Sequence, residues 1–252
     1  MTIDGVDISE FGARQWNVKP EHQTVENKTE WPEKFLTPIF LKSDFGLKKY
    51  EVTLLIKGTS RDDIWKKTGL ILQMLSKPAD IKLDGFNNTF RFALTGHSQN
   101  EDSKKRFHTL TLELEGYEYG EAVSFGGITE VEENFKHTSQ ASAPSPCRLT
   151  IQLYCSTSLF TYNWIGITGL TKKPNGEDTE IRVKNLKSEG AKEEIVIDET
   201  GNVTFEGENK NIDVEIFGVP HIMPGENKIE FRTASNKQVP NVATIEYRPR
   251  FL

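Results

Sequence analysis

The chain has 252 residues, of which 36% are hydrophobic, 10% aromatic and 27% charged. This composition is typical of a folded globular protein and excludes a disordered or fibrous chain. With 37 acidic and 31 basic residues, the formal net charge is −6. We therefore do not expect nucleic acid or an anionic membrane as the main partner, because both attract basic surfaces.

The N-terminal sequence has neither the basic start nor the apolar run of a signal peptide, and no stretch reaches the roughly 20 apolar residues of a membrane span. We expect a protein that is made and kept in the cytoplasm.

The segment from residue 11 to residue 47 is the least globular part of the first half. It mixes many charges and three prolines with five isolated aromatic residues, which are Trp16, Trp31, Phe35, Phe40 and Phe45. Such a segment is either an arm or hairpin that buries its aromatic residues against another subunit, or an irregular loop that packs on its own domain. The five aromatic residues are therefore candidate oligomer-interface residues.

A single amphipathic helix is predicted over about residues 60–77. Ser60 is a good N-cap, Asp63 takes the capping-box position, and Pro78 marks the end. The apolar stripe that would dock on a sheet consists of Ile64, Thr68, Ile71, Leu72 and Leu75.

The rest of the first half reads as strands, over residues 48–58, 89–96 and 107–120. In the last of these, Leu110, Leu112 and Leu114 alternate with polar residues, which predicts one buried face and one wet face. The alternation also explains Glu113 and Glu115 as solvent-side residues and not as a catalytic pair.

The composition changes from about residue 126, and residues 137–147 are rich in Ser, Ala and Pro without an apolar period, which is typical of a linker. We therefore predict a first domain at 1–136, a linker at 137–147 and a second domain at 148–252. Short strand patterns follow one another closely in the second domain, as in an antiparallel β-sandwich. Residues 193–207 read as a hairpin around a turn at Asp198–Asn202, although an acidic loop also invites a calcium site.

No catalytic, cofactor-binding or metal-binding motif is found. The five histidines are scattered, and no phosphate-binding or nucleophile-elbow pattern is present. Cys147 and Cys155 read as reduced structural thiols, since eight residues of strand hold them too far apart for a disulfide. We predict no cofactor, no metal and no enzymatic activity.

The end of the chain carries the most specific pattern. MPGENKIEF at 223–231 is followed, after a variable loop, by TIEYRPRFL at 244–252. Together with DGVDIS at 4–9 and GYEYG at 116–120, and with one helix in an otherwise β first half, this order resembles the distal tail proteins of long-tailed bacteriophages and prophages, which are components of the baseplate hub at the tail tip.

The resemblance implies a mainly β protein in which an N-terminal split β-barrel or β-sandwich with one helix precedes a galectin-like or carbohydrate-module-like β-sandwich. It implies a ring, with six copies, that connects the major tail protein of the tube to tail-associated baseplate proteins and to receptor-binding proteins. The ring would be assembled in the bacterial cytoplasm and lie at the virion tail tip, and residues 246–252 could return to the first domain.

An alternative function is a carbohydrate-binding β-sandwich module that attaches to host cell walls. Tyr162 and Trp164 are two residues apart on a predicted strand and could stack on a glycan from one face. Side chains of this kind more often belong to the core of a sandwich, so the two functions remain to be separated.

Overall fold

The computed structural model describes residues 1–21, 25–30, 39–101, 106–129, 134–154, 160–173, 176–188, 192–233 and 241–251. The chain divides into two compact units, Met1–Gly120 with Phe251–Leu252 and Glu121–Arg250. The described residues are mainly strands arranged in antiparallel sheets, with one α-helix. The predicted mainly β fold class is therefore confirmed.

The first unit contains one curved sheet, one α-helix and a separate pair of strands. Its elements are β1 (Thr2–Ile3), β2 (Val6–Asp7), a 3₁₀ turn (Ile8–Phe11), β3 (Ala13–Glu21), β4 (Val25–Glu30), β5 (Ile39–Phe45), β6 (Lys48–Lys57), α1 (Arg61–Met74), β7 (Ala79–Lys82), β8 (Thr89–Glu101) and β9 (Phe107–Tyr119). The sheet has the strand order β2-β1-β7-β8-β9-β6-β3, while β4 and β5 pair only with each other in the described part of the chain.

The core of the first unit follows from the period-2 alternation of β6 and β9. Tyr50, Val52 and Leu54 lie opposite Leu114, Leu112 and Leu110 in the antiparallel register, and all six side chains are buried. The polar residues between them, such as Thr53 and Thr111, point to the other face. The alternation predicted for this strand is confirmed.

Helix α1 covers this core through the predicted stripe. Ile64, Thr68, Ile71 and Leu75 are buried. The Ser60 hydroxyl accepts a hydrogen bond from the Asp63 amide at 3.1 Å, which satisfies one of the free N–H groups of the first turn. The helix ends at Met74, a few residues before the predicted end at about residue 77.

The two far parts of the first sheet are joined by a side chain. The Gln15 amide on β3 donates to the backbone oxygen of Asp84 at 3.0 Å and accepts from its backbone N–H at 2.9 Å. The Gln15 amide thus satisfies both the backbone N–H and the backbone C=O of Asp84, the two groups that a neighbouring strand would otherwise pair with. No sheet in the described residues closes into a barrel, and Gln15 links the edge strand β3 of this open sheet to Asp84, two residues after β7.

The second unit is a sandwich of two antiparallel sheets. Its elements are β10 (Val123–Thr129), β11 (Asn134–Ser139), β12 (Ser145–Tyr154), β13 (Phe160–Lys172), β14 (Asp178–Ser188), β15 (Lys192–Ile197), β16 (Val203–Phe205), β17 (Glu208–Asn209), a 3₁₀ turn (Asn211–Asp213), β18 (Val214–Glu215), β19 (His221–Ile222), β20 (Gly225–Thr233) and β21 (Asn241–Tyr247). The last strand, β22 (Arg250–Phe251), pairs with β9 of the first sheet. One sheet has the order β10-β21-β12-β15-β16-β17 and the other β11-β20-β13-β14-β18.

The core of the sandwich is aliphatic. Residues from both sheets share one buried cluster, including Leu149, Ile151 and Ile245 from one sheet and Ile165, Ile167 and Val183 from the other. The predicted hairpin at residues 193–207 is confirmed, because β15 and β16 pair antiparallel from Ile195 to Phe205.

The predicted linker at 137–147 is wrong. The boundary between the units lies at Gly120 and Glu121, and the supposed linker contains the end of β11 and the start of β12. Ser139 and Ser145 are buried there, and hydrogen bonds satisfy both hydroxyls. Ser139 accepts from the Tyr247 hydroxyl at 3.1 Å, and Ser145 accepts from the Arg250 backbone N–H at 2.9 Å. A segment rich in polar residues can therefore lie inside a sandwich.

The predicted arm at residues 11–47 begins too early. Residues 13–21 form β3, which pairs with β6 in the main sheet. The register of this pair shifts between Gln15 and Asn17, so Trp16 is a bulge residue and the alternation that marks a strand is interrupted.

At the other end of the chain, Asn241–Tyr247 is part of the second unit, and of the residues from 246 onward only Phe251 and Leu252 belong to the first.

Candidate assembly and ligand-binding surfaces

The strand pair β4–β5 is an insertion in the chain between β3 and β6, which are neighbours in the first sheet. Glu21 at the end of β3 lies opposite Lys49 on β6, so the chain leaves the sheet at residue 21 and returns beside the same point. Between them, β4 and β5 pair from Val25 with Phe45 to Glu30 with Ile39. A two-stranded sheet in water is marginally stable, so this hairpin needs further burial to be a firm element.

Four of the five candidate interface residues belong to this insertion. Phe40 and Phe45 lie on β5, but their side chains are outside the described residues, as are Trp31 and Phe35 entirely. The fifth, Trp16, lies on the edge strand β3, and its side chain is 63% exposed. The Arg14 guanidinium carbon is 5.1 Å from its ring centroid, within the range of a cation–π contact.

Helix α1 carries two exposed apolar side chains that the sequence prediction missed. Trp65 is 49% exposed and Leu70 is 46% exposed, although both are large and hydrophobic. Both lie off the buried stripe of the helix, so projection of the predicted helix onto a wheel would have located them. Exposed apolar side chains of this size are the kind that protein interfaces use.

In the second unit, Trp164 lies on the outer face of the five-stranded sheet. Its neighbours along β13, Ile165 and Ile167, point into the core, whereas the Trp164 ring is half-buried and contacts Arg182 on β14. The guanidinium carbon of Arg182 is 4.7 Å from the ring centroid. Tyr162 is on the same strand, but its side chain is outside the described residues.

The acidic turn at Asp198–Asn202 is closed by hydrogen bonds to the carboxylate of its own first residue, Asp198. Asp198 accepts hydrogen bonds from the Thr200 amide and hydroxyl at 2.8 and 2.6 Å and from the Asn202 amide at 2.9 Å. Partial burial opposes ionisation, but these bonds from Thr200 and Asn202 outweigh it and lower the pKa of Asp198. Gly201, at φ +87°, supplies the left-handed conformation of the turn. This arrangement is that of a turn closed by its own Asp, as expected of a hairpin.

A polar cluster joins the two sheets of the sandwich at one edge, where Phe125 and His137 are half-buried and Tyr247 is buried. The His137 ring on β11 stacks on Phe125 of β10 with centroids 3.9 Å apart, and its Nε2 is 2.8 Å from the Tyr247 hydroxyl. Because that hydroxyl donates its one proton to Ser139, the His137 Nε2–H donates to it. Burial lowers the pKa of His137.

Chemically reactive groups are sparse in the part of the chain that the structure describes. No group of three or more His, Cys, Asp or Glu side chains is placed to hold a metal ion there. Cys147 is buried in the sandwich, and burial raises the pKa of its thiol to about 12, so it stays protonated. Cys155 lies outside the described residues. No described helix is long and apolar enough to cross a bilayer.

Comparison with known proteins gives a match at the level of the fold. No family model and no curated protein matches the sequence. Among solved structures, the chain is similar to Dit of phage SPP1, a hub of the adsorption apparatus in phages that infect Gram-positive bacteria. The TM-score is 0.69 at 13% identity, over 99% of this chain and 98% of that chain. A chain of the phage P2 baseplate in its activated conformation with calcium gives a TM-score of 0.49 at 11% identity, over 96% and 92%. The first comparison shows that the protein has the fold of Dit along its whole length.

Proposed function

We propose that the protein is a distal tail protein, a structural component of the hub at the tail tip of a long-tailed bacteriophage or prophage. The observation that carries this proposal is the similarity to Dit over 99% of this chain and 98% of that chain. A β-sandwich alone serves many functions. A similarity of this extent includes both units and their order, which is a much narrower pattern.

In the proposed role, the first unit assembles into a ring of six copies. The features that support assembly are the hairpin β4–β5, which needs burial that its own two strands do not supply, and the exposed apolar side chains Trp16, Trp65 and Leu70. Each of these lies in the first unit. Contacts between copies would cover them.

The ring connects the major tail protein of the tube to baseplate and receptor-binding proteins, and it lies at the virion tail tip after assembly in the bacterial cytoplasm. Its work is to hold partners in place, and we propose that it catalyses no reaction. The protonated Cys147 thiol and the closed Asp198 turn support this view, because neither is poised as a nucleophile or a general base.

The hairpin offers a sharp test of assembly. Because Glu21 and Lys49 lie opposite each other on neighbouring strands, residues 22–48 can be replaced by a two-residue Asn-Gly turn that keeps this pairing. Light scattering after size exclusion should give a discrete species of six 28.6 kDa chains for the full protein and a species with fewer chains for the shortened variant.

A matched control is Ile212→Ser, which changes a fully exposed apolar residue of the second unit and should leave the assembly unchanged. Circular dichroism should show that both variants stay folded. A full-length protein that is monomeric at every concentration would contradict the ring. A shortened variant that still assembles with six chains would show that the hairpin is not part of the interface.

A further inference from the structure

The outer face of the five-stranded sheet carries an organised polar surface around Gly166. In an antiparallel sheet, the nearest neighbours on one face are the residues two positions away and those directly opposite. For Gly166 these are Trp164, Thr168, Arg182 on β14 and Arg232 on β20. Gly166, which has no side chain, is thus surrounded by the Trp164 ring and the guanidinium groups of Arg182 and Arg232.

Gly166 is required for this arrangement. A Cβ atom at this position would collide with the Glu180 carboxylate and lie 3.0 Å from the Trp164 ring, in a tighter contact than real Cβ atoms normally make. The ring and the carboxylate therefore lie across the backbone of β13. The half-buried indole lies beside Gly166, and the Arg182 guanidinium covers the ring.

The charges on this face nearly cancel, with four cationic side chains and three carboxylates. Arg182 pairs with Glu180, Lys184 pairs with Glu215, and the Glu230 carboxylate lies 3.3 Å from Arg232 and 2.6 Å from Lys228. The surface around Gly166 therefore offers alternating hydrogen-bond donors and acceptors with little net charge. On the neighbouring strands β11 and β20, a cavity of about 160 Å³ is lined by Asn134, Glu230, Phe231 and Arg232.

Arg182 has an unused donor. Its guanidinium covers the Trp164 ring, and its buried Nε–H has no hydrogen-bond partner among the described residues. Since its side chain is 37% exposed, it can swing away from the ring and place this donor on an acceptor above the sheet.

We propose that this face binds a neutral polysaccharide, with Trp164 as the stacking platform and Arg182, Glu180 and Glu230 as hydrogen-bonding groups to sugar hydroxyls. Sugar rings have an apolar face that stacks on indole, and their hydroxyls both donate and accept hydrogen bonds. The small net charge disfavours an anionic polymer. A protein partner is disfavoured because no described side chain on β13, β14 or β20 is an exposed large hydrophobic one. This binding role is additional to the proposed tail function and does not depend on it.

The test uses the full chain and an array of neutral hexasaccharides of gluco, galacto and rhamno configuration, with dextran sulfate as the anionic probe. We expect at least one neutral glycan to bind with a dissociation constant of about 1 mM or lower. Trp164→Ala should weaken that binding about tenfold, whereas Trp164→Phe should keep most of it because a ring remains. Trp65→Ala, which removes an exposed tryptophan from the first unit, should have no effect.

Glu230→Ala provides a second variant in case Trp164→Ala fails to fold, and it should also weaken binding because the sugar loses a hydrogen-bond acceptor. Binding unchanged in the variants that fold, or no neutral glycan bound at about 1 mM, would overturn the proposal. Binding of dextran sulfate alone would overturn it as well, because the site would then be anion-specific.

Discussion

Asp198 illustrates how a single side chain holds a β-turn in place. Its carboxylate accepts bonds from Thr200 and Asn202, and its pKa is lowered by them. We expect Asp198→Ala to reduce the free energy of unfolding by about 1 kcal/mol, a modest value because the carboxylate is partly solvated. Urea denaturation at neutral pH measures this change.

The adjacent residue supplies the control for Asp198. Glu199 is exposed, and Glu199→Ala should change the stability much less. A lowered pKa also means that the contribution of Asp198 is present above its unfolded pKa and is lost as the pH falls through the folded one. Equal stability of the two variants at neutral pH would show that the turn does not depend on the Asp198 carboxylate.

His137 makes the edge of the sandwich sensitive to acid. Burial lowers its pKa, so the unfolded chain takes up a proton at a higher pH than the folded chain does. The stabilising effect of neutral His137 is therefore complete above the unfolded value of about 6.5 and is lost as the pH falls below it. We expect amide hydrogen exchange in β10 and β11 to accelerate between about pH 7 and pH 5, after correction for the intrinsic rate.

His137→Gln should remove part of this acceleration, since glutamine does not titrate. His97→Gln, which changes an exposed histidine of the first unit, should leave exchange in β10 and β11 as it is. If both variants behave like the unaltered protein, the acid sensitivity of these strands has another origin.

At the scale of elements, Gln15 connects β3 to Asp84, which lies two residues after the end of β7. It makes two hydrogen bonds to the backbone of Asp84, at 2.9 and 3.0 Å. We expect Gln15→Ala to reduce the free energy of unfolding of the first unit by about 1 to 2 kcal/mol, because both bonds are lost. Thermal denaturation of the first unit, monitored by circular dichroism, measures the effect.

Gln15→Glu is the informative companion because it keeps the shape but replaces the donor by a carboxylate. It should destabilise the unit as well, since the Asp84 oxygen then faces an acceptor. Gln73→Ala, on the exposed side of α1, is the control and should be nearly neutral. Wild-type stability of both Gln15 variants would mean that the edges of the sheet are held by other contacts.

Elements with local signals were predicted from the sequence. Helix α1 has its cap, stripe and terminating proline within twenty residues, and β9 shows its two faces through strict alternation. Features that depend on distant residues were missed. The buried Ser139 relies on Tyr247, 108 positions away, and the Trp164 ring is covered by Arg182 through cross-strand pairing. A bulge at Trp16 concealed β3 because it broke the alternation.

At the scale of the whole molecule, both units carry exposed apolar side chains, with Trp16, Trp65 and Leu70 in the first and Ile212, Phe217 and Val219 in the second. The second unit also has a polar sheet face around Trp164. The candidate oligomer-interface residues and the candidate glycan residues thus lie in different units. This division fits a protein in which one unit assembles with copies of itself while the other remains free for ligands or partners.

Electron microscopy of the purified full-length protein tests the central claim most directly, because symmetry can be read from class averages of single particles. The account predicts closed rings with sixfold rotational symmetry, held together by contacts between the first units. Isolated particles of single-chain size, at concentrations where light scattering also finds one chain, would contradict it.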